Sequence, residues 1–235
     1  MKNLTISLFT LLLIVGCVTT HTKAVEHIND FSEVVVSIDI FAHGTKVSSG
    51  SGVLIASTPR GNKHQVAVIT AKHVIDNLPL GFQPNVVIDG LLYLPHQIYE
   101  HPTKDVAILV IETNKPVPIA SIDYNPLVPL SEIYNVGFPL GMEFLVTAGI
   151  LNYQIANGLG TIPEGLWLCS APTYPGNSGG GLFYKASRKL IGLSIAVGTH
   201  PKRYDNVVVP HIHIFIPINI LREWITEVNN ERQKI

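Results

Sequence analysis

Pro175-Gly176-Asn177-Ser178-Gly179-Gly180-Gly181-Leu182 is the stretch on which the reading of this chain turns. Half of its residues are glycine, which reaches backbone conformations closed to other residues and lets other groups come close to its N–H. A lone serine among glycines describes no more than a tight turn, here leading into a short apolar run, Gly181 to Phe183. Two upstream patterns change its weight. In Val68-Ile69-Thr70-Ala71-Lys72-His73-Val74-Ile75 a histidine follows the end of an apolar run. In His101-Pro102-Thr103-Lys104-Asp105-Val106-Ala107-Ile108-Leu109 an aspartate stands just before one. Each alone is ordinary: a surface or core histidine, a strand start. Together, in the order His, Asp, Ser, they supply a base, a group to orient it and a nucleophile.

The rest of the chain is organised around runs of the same kind. Val34–Ile40, Gly52–Ala56, Gln65–Thr70, Asn85–Ile88 and Val106–Ile111 are rich in β-branched residues and bounded by Gly, Pro or Asn, the pattern of strands. Pro116, Pro118, Pro126 and Pro129 keep Asn114–Pro129 out of a sheet interior and mark the boundary between two halves. The second half repeats the style at Glu132–Val136, Phe144–Ile150, Leu166–Ser170, Gly181–Phe183, Leu190–Val197 and His211–Ile216. From Ile218, the apolar Ile220, Leu221, Trp224, Ile225 and Val228 recur at helical spacing among charged residues, predicting an amphipathic closing helix. The class is all-β.

Composition agrees. Of 235 residues, 46% are hydrophobic and 14% charged, enough apolar surface to offset backbone ordering, so disorder is excluded as the main state. Sixteen basic against seventeen acidic residues give a net charge of −1, which offers no field for nucleic acid. The two cysteines, Cys17 and Cys169, form no disulfide framework. Cys169, in Leu166-Trp167-Leu168-Cys169, reads as a buried structural thiol, and Trp167 and Trp224 as core anchors. His211 and His213 share one strand face, but no Cys or Asp cluster completes the four ligands of a structural zinc site, so no metal or cofactor is expected.

The beginning of the chain is an address. Lys2 and the apolar Leu4–Gly16 have the n-region and h-region of a secretory signal, too short for a permanent span. Ile14-Val15-Gly16-Cys17 resembles a bacterial lipobox, which implies cleavage before Cys17 and lipidation of its thiol. The expected division is a signal peptide 1–16, a lipid-anchored tether 17–33, a first half 34–120 and a second half 121–235. The expected location is a bacterial membrane, on the periplasmic or cell-surface side. An ordinary signal peptide, cut among the small residues of 18–24, is the alternative and would leave a soluble secreted protein.

With its three motifs, the chain resembles the trypsin-like, chymotrypsin-fold serine proteases. Gly176-Asn177-Ser178-Gly179-Gly180 and Phe215-Ile216-Pro217-Ile218-Asn219 are most similar to the bacterial HtrA-type branch. The resemblance covers about Val34 to Val228 and implies two antiparallel six-stranded Greek-key β-barrels with a C-terminal helix. It implies that Ser178 attacks a peptide carbonyl, that His73 is general base and then acid, and that Asp105 orients and stabilises the imidazole. The N–H groups of Gly176 and Ser178 form the oxyanion hole by the same pattern. The expected architecture ends at the closing helix, without the PDZ domain many HtrA-type enzymes carry, and the trimer common in that branch is not carried over by these residues.

Departures from the pattern matter. Trypsin-like zymogens have an Asp before the serine, which pairs with a newly cut N-terminus. Asn177 has no such charge, so no activation by N-terminal cleavage is expected. The resemblance lines the specificity pocket with Thr173, with Ser194-Ile195-Ala196, which also offers a strand edge to the substrate backbone, and with His213. Pro172, without an acid, and the small Ala196 point to a small or medium apolar side chain before the cut. His213 with Thr173 suits Glu or Gln instead. The partner is a protein or peptide substrate. A non-catalytic protease-fold binding module on a membrane is the alternative function.

Overall fold

The computed structural model describes residues 28–158, 163–199 and 208–234, with the backbone alone at 28–29, 196–199 and 208–212. The leader, Cys17 and most of the tether lie outside the described residues, as do the side chains of Ala196 and His211.

The first half is one antiparallel sheet of seven strands: β1 (Val35–Ala42), β2 (Thr45–Arg60), β3 (Lys63–Thr70), β4 (Phe82–Ile88), β5 (Leu91–Tyr93), β6 (Gln97–Glu100) and β7 (Ala107–Thr113). Their order is β5-β4-β1-β2-β3-β7-β6. The second half is a closed barrel of six strands in the order β10-β13-β12-β11-β8-β9. These are β8 (Glu132–Gly137), β9 (Leu145–Gln154), β10 (Trp167–Cys169), β11 (Gly181–Tyr184), β12 (Leu190–Thr199) and β13 (Val208–Pro217). A 3-10 turn, Ile218–Leu221, leads into α1 (Arg222–Arg232). The all-β architecture with two units and a closing helix is as expected, and matches a chymotrypsin-like fold. The first unit differs in detail: it is a curled seven-stranded sheet rather than a closed six-stranded barrel, because the short β5 and β6 form its two edges.

Two-residue turns set the register. His43-Gly44 and Asp89-Gly90 have positive φ at both positions (49° and 81°, 50° and 75°), the hairpin geometry that matches strand twist. They pair Ala42 with Thr45 and Ile88 with Leu91.

Between the halves the chain crosses in extended form. Ala120 N–H still bonds to Leu54 O of the first sheet, while Ser121 O already accepts from Leu190 N–H of the barrel. A shared apolar core fills the seam, with Val53, Ile69 and Ile108 from the sheet, Val136, Leu193 and Ile216 from the barrel, and Ile225 and Val228 from α1. Phe31 joins it from a 3-10 turn, Ile28–Glu33, within the stretch expected as tether. Its fully buried ring packs on Phe183 (centroids 4.6 Å apart) and edge-on to Tyr134 (5.9 Å).

Candidate active site

Sheet register brings the first two residues together. β3 and β7 are antiparallel, with Thr70 opposite Ala107, so the end of one strand adjoins the start of the other. His73 lies on the 3-10 turn just after β3, and Asp105 on the turn just before β7. The His73 ring Nδ1 is 2.6 Å from Asp105 Oδ2, and His73 backbone N–H donates to Asp105 Oδ1 at 2.8 Å. The carboxylate therefore grips the histidine by ring and backbone at once, leaving the far ring nitrogen to act. Burial by itself raises the Asp105 pKa. The hydrogen bonds and charge of His73, and the Lys72 backbone N–H, outweigh it and hold the carboxyl below the usual range.

The turn under Asp105 has its own support. His101 Nδ1 accepts from the backbone N–H of Thr103 (3.2 Å) and Lys104 (3.1 Å), and its ring leans on Trp224 of α1 with centroids 5.1 Å apart. Beside His73, Lys72 is paired with Glu100 at 2.8 Å.

Ser178 sits on the loop between β10 and β11, in the other half. Its carbonyl accepts from Ser51 N–H of β2 at 2.8 Å. Ser51 O in turn accepts from Thr70 Oγ1 at 2.7 Å, at the strand end from which His73 emerges. The serine loop is thus tied through Ser51 of β2 to the end of β3, from which His73 emerges. Gly179 (φ +82°) allows this approach: a Cβ there would overlap Ser51 O and Thr70 Oγ1. Gly176 also has positive φ, +97°. Among the described residues no hydrogen bond joins the Ser178 hydroxyl to His73; such contacts commonly tighten only with substrate.

The residues expected to line the specificity pocket have hydrogen bonds of their own within the fold. Ser194 is buried, its N–H donating to Gly180 O (2.9 Å) and its O accepting from Gly179 N–H (2.7 Å). Both backbone groups hold the serine loop, and the carbonyl oxygen keeps a second lone pair. Thr173 is buried too, and its hydroxyl takes the Asn135 Nδ2 hydrogen at 2.7 Å. The hydroxyl keeps its own hydrogen, with Ala171 O as acceptor 3.4 Å away. Asn135 reaches Pro172 O as well (3.1 Å), tying the wall to β8. His213 is buried on β13, opposite Cys169 on β10 and Val197 on β12. Ile195 lies at a register shift of β12, and the Ala196 backbone pairs with Ile214. β11 pairs with β12 only as far as Leu193, so Ile195–Thr199 has one edge without a ladder partner among the described residues.

Cys169 is buried, and burial pushes its thiol up to about 12, which makes it an inert structural group as expected. Trp167 is buried in the barrel core, and Trp224 packs partly against the seam.

Four supporting residues carried weaker signals in the sequence. Ser51 stands between two glycines at the start of an apolar run. Thr70 closes an apolar strand with a hydroxyl. His101 opens the segment that ends at Asp105. Asn135 interrupts an apolar run with an amide.

Comparison with known proteins agrees with this fold. The trypsin-like peptidase domain family matches residues 50–193. The chain belongs to that family. Among curated proteins it is similar to a probable periplasmic serine endoprotease, DegP-like, of Marinomonas sp. (strain MWYL1), with 29% identity over 211 residues. That match covers 80% of this chain and 41% of the relative, so the chain spans less than half of the relative's length. Among solved structures it is similar to the serine endoprotease from Yersinia pestis, with a TM-score of 0.63 and 20% identity. That likeness covers 83% of this chain and 62% of the other, and speaks to the fold.

Proposed function

We propose that the chain is a serine endopeptidase working through an acyl-enzyme, with Ser178, His73 and Asp105 as its triad. The observation that carries this reading is the double grip of Asp105 on His73, with the serine loop tied through Ser51 to the end of β3 beside them. Asp105 fixes the tautomer in which Nδ1 holds the hydrogen and Nε2 is free. Nε2 takes the proton of Ser178 as Oγ bonds to the scissile carbonyl carbon. The carbonyl oxygen becomes an oxyanion facing the N–H groups of Gly176 and Ser178. The C–N bond then breaks, and Nε2 returns the proton to the leaving amine. Water repeats the sequence on the acyl-enzyme, freeing the acid product and Ser178. No metal or cofactor has a role in these steps.

The free edge of β12 at Ile195–Thr199 suits an extended substrate backbone. Without an acid at Pro172 and with the small Ala196, a small or medium apolar side chain is the first choice before the cut, and Glu or Gln, held by Thr173 and His213, the alternative. A peptide-library cleavage profile tests that choice: strong Glu or Gln selection overturns it.

An extracytoplasmic site of action is supported by the signal-like leader and by the name of the Marinomonas relative, which calls that protein periplasmic. Lipidation at Cys17 places the chain on a membrane. Cys17→Ser is expected to abolish labelled palmitate incorporation; unchanged labelling contradicts it. For the activity itself, purified chain is expected to cleave unfolded casein, and Ser178→Ala to leave it intact. A folded chain inert on casein and every peptide of a library points instead to a binding module.

A further inference from the structure

Ser51 is fully buried on β2, yet it makes four hydrogen bonds, all to groups at the site. Its N–H donates to Ser178 O at 2.8 Å, and its O accepts from Thr70 Oγ1 at 2.7 Å. Its hydroxyl donates to Gly176 O at 2.7 Å and accepts from Phe138 N–H at 2.9 Å. The last two span the loop that carries the Gly176 N–H and the turn beside it.

Peptide planarity shows what this hydroxyl controls. The Gly176 N–H shares a plane with the Pro175 carbonyl, and in a trans peptide the two point opposite ways. Pro175 O accepts from Leu140 N–H at 2.7 Å, so it faces the Phe138–Leu140 turn, and the Gly176 N–H faces away from that turn. The next plane is fixed by Ser51 Oγ at Gly176 O and by Asn177 N–H donating to Tyr174 O at 2.9 Å. Gly176 has the freedom to rotate, at φ +97°, unless both planes are pinned. Ser51 pins one plane directly. It pins the other indirectly, by holding Phe138 of the turn whose Leu140 N–H grips Pro175 O. Among the described residues the Gly176 N–H has no intramolecular acceptor.

We infer that Ser51 is a positioning residue of the oxyanion site, its hydroxyl aiming the Gly176 N–H at the substrate oxygen without touching substrate. This rests on the peptidase reading proposed above. It adds that oxyanion stabilisation depends on a buried hydroxyl from the other half of the molecule.

The test is the kinetics of fluorophosphonate inactivation of the full purified chain. Ser178 Oγ bonds to phosphorus as His73 Nε2 takes the hydroxyl proton, the P–F bond breaks and fluoride leaves, and the phosphonyl oxygen takes the oxyanion's place. Removing one oxyanion donor outright costs roughly 10²–10³ in rate, and misaiming one costs less. Ser51→Ala is therefore expected to lower the maximal inactivation rate about 10–100-fold. The half-saturating probe concentration and the shape of the pH profile stay as in the parent. Ser51→Cys, nearly isosteric with a weaker hydrogen bond, is expected to fall between. It carries the test if Ser51→Ala does not fold. A folded variant with the parent's maximal rate, or one that loses only probe affinity, makes Ser51 a structural residue and overturns the inference while leaving the peptidase reading intact. A folded parent chain that never labels removes both.

Discussion

A single methyl group separates a working serine loop from a blocked one at Gly179. A Cβ there would overlap Ser51 O of β2 and Thr70 Oγ1 at the end of β3, and its φ of +82° is strained for any other residue. Gly179→Ala is expected to remove casein cleavage and lower Tm by several degrees, measured by thermal unfolding. Asp105 is the second decisive residue. Asp105→Asn keeps the shape but supports the wrong imidazole tautomer, so kcat/KM should fall roughly 10³–10⁴-fold. The same carboxyl is held below its usual pKa, so the stability it brings is present above the unfolded-state value of about 3.9 and is lost as pH falls through the lower folded value. Thermal unfolding across that acid window should show a shallower slope for Asp105→Asn than for the parent. The triad candidates His73, Asp105 and Ser178 were legible in the sequence because the proposed chemistry demands particular side chains. Ser51 carried only a weak signal, because the role inferred for it depends on hydrogen bonds that only the folded loops create.

Among the elements, the turn from His101 to Asp105 shows how local chemistry and packing combine. His101 Nδ1 can accept from Thr103 and Lys104 only while it is unprotonated. Burial against α1, and then the nearby Lys104 charge, push its pKa down; Trp224, which packs on the ring, is uncharged. A histidine with a lowered folded pKa stabilises fully above its unfolded value of about 6.5. That contribution declines as pH falls from there through the folded value. His101→Ala is expected to cost about 1 kcal/mol near neutrality. His101→Asn, whose amide oxygen can accept in the same way, should retain most of it and flatten the decline of Tm on acidification. An unchanged slope contradicts the capping role. The sequence marked the longer strands of both halves well, because β-branched runs bounded by turn residues have few other readings. It passed over β5 and β6. Leu91 and Leu92 are exposed and the strands are three and four residues long, so neither alternation nor burial leaves a pattern, although Asp89-Gly90 is itself a hairpin signal.

In the whole molecule, two all-β halves share one seam, and the site lies where their loops and strand ends meet. The seam draws on the sheet, the barrel, α1 and the N-terminal 3-10 turn, so its integrity and the site's geometry are linked. Phe31, read from sequence as part of a tether, is instead an anchor between Tyr134 and Phe183; a single aromatic without periodic neighbours carries no core signal. Phe31→Ala is expected to destabilise the fold by about 3–5 kcal/mol, measured by urea unfolding. A change under about 1 kcal/mol would place Phe31 outside the cooperative core. Fold class and triad candidates were thus visible in residue types and their order. The supporting shell and the hydrogen bonds of Thr173 and Ser194 depend on contacts between distant segments, which one sequence does not display. The central claim, an assembled triad with an activated Ser178, is tested most directly by treating the purified chain with a fluorescent fluorophosphonate beside Ser178→Ala. The account predicts covalent labelling of the parent and none of the variant. A folded parent that stays unlabelled, or a variant that labels equally, contradicts it.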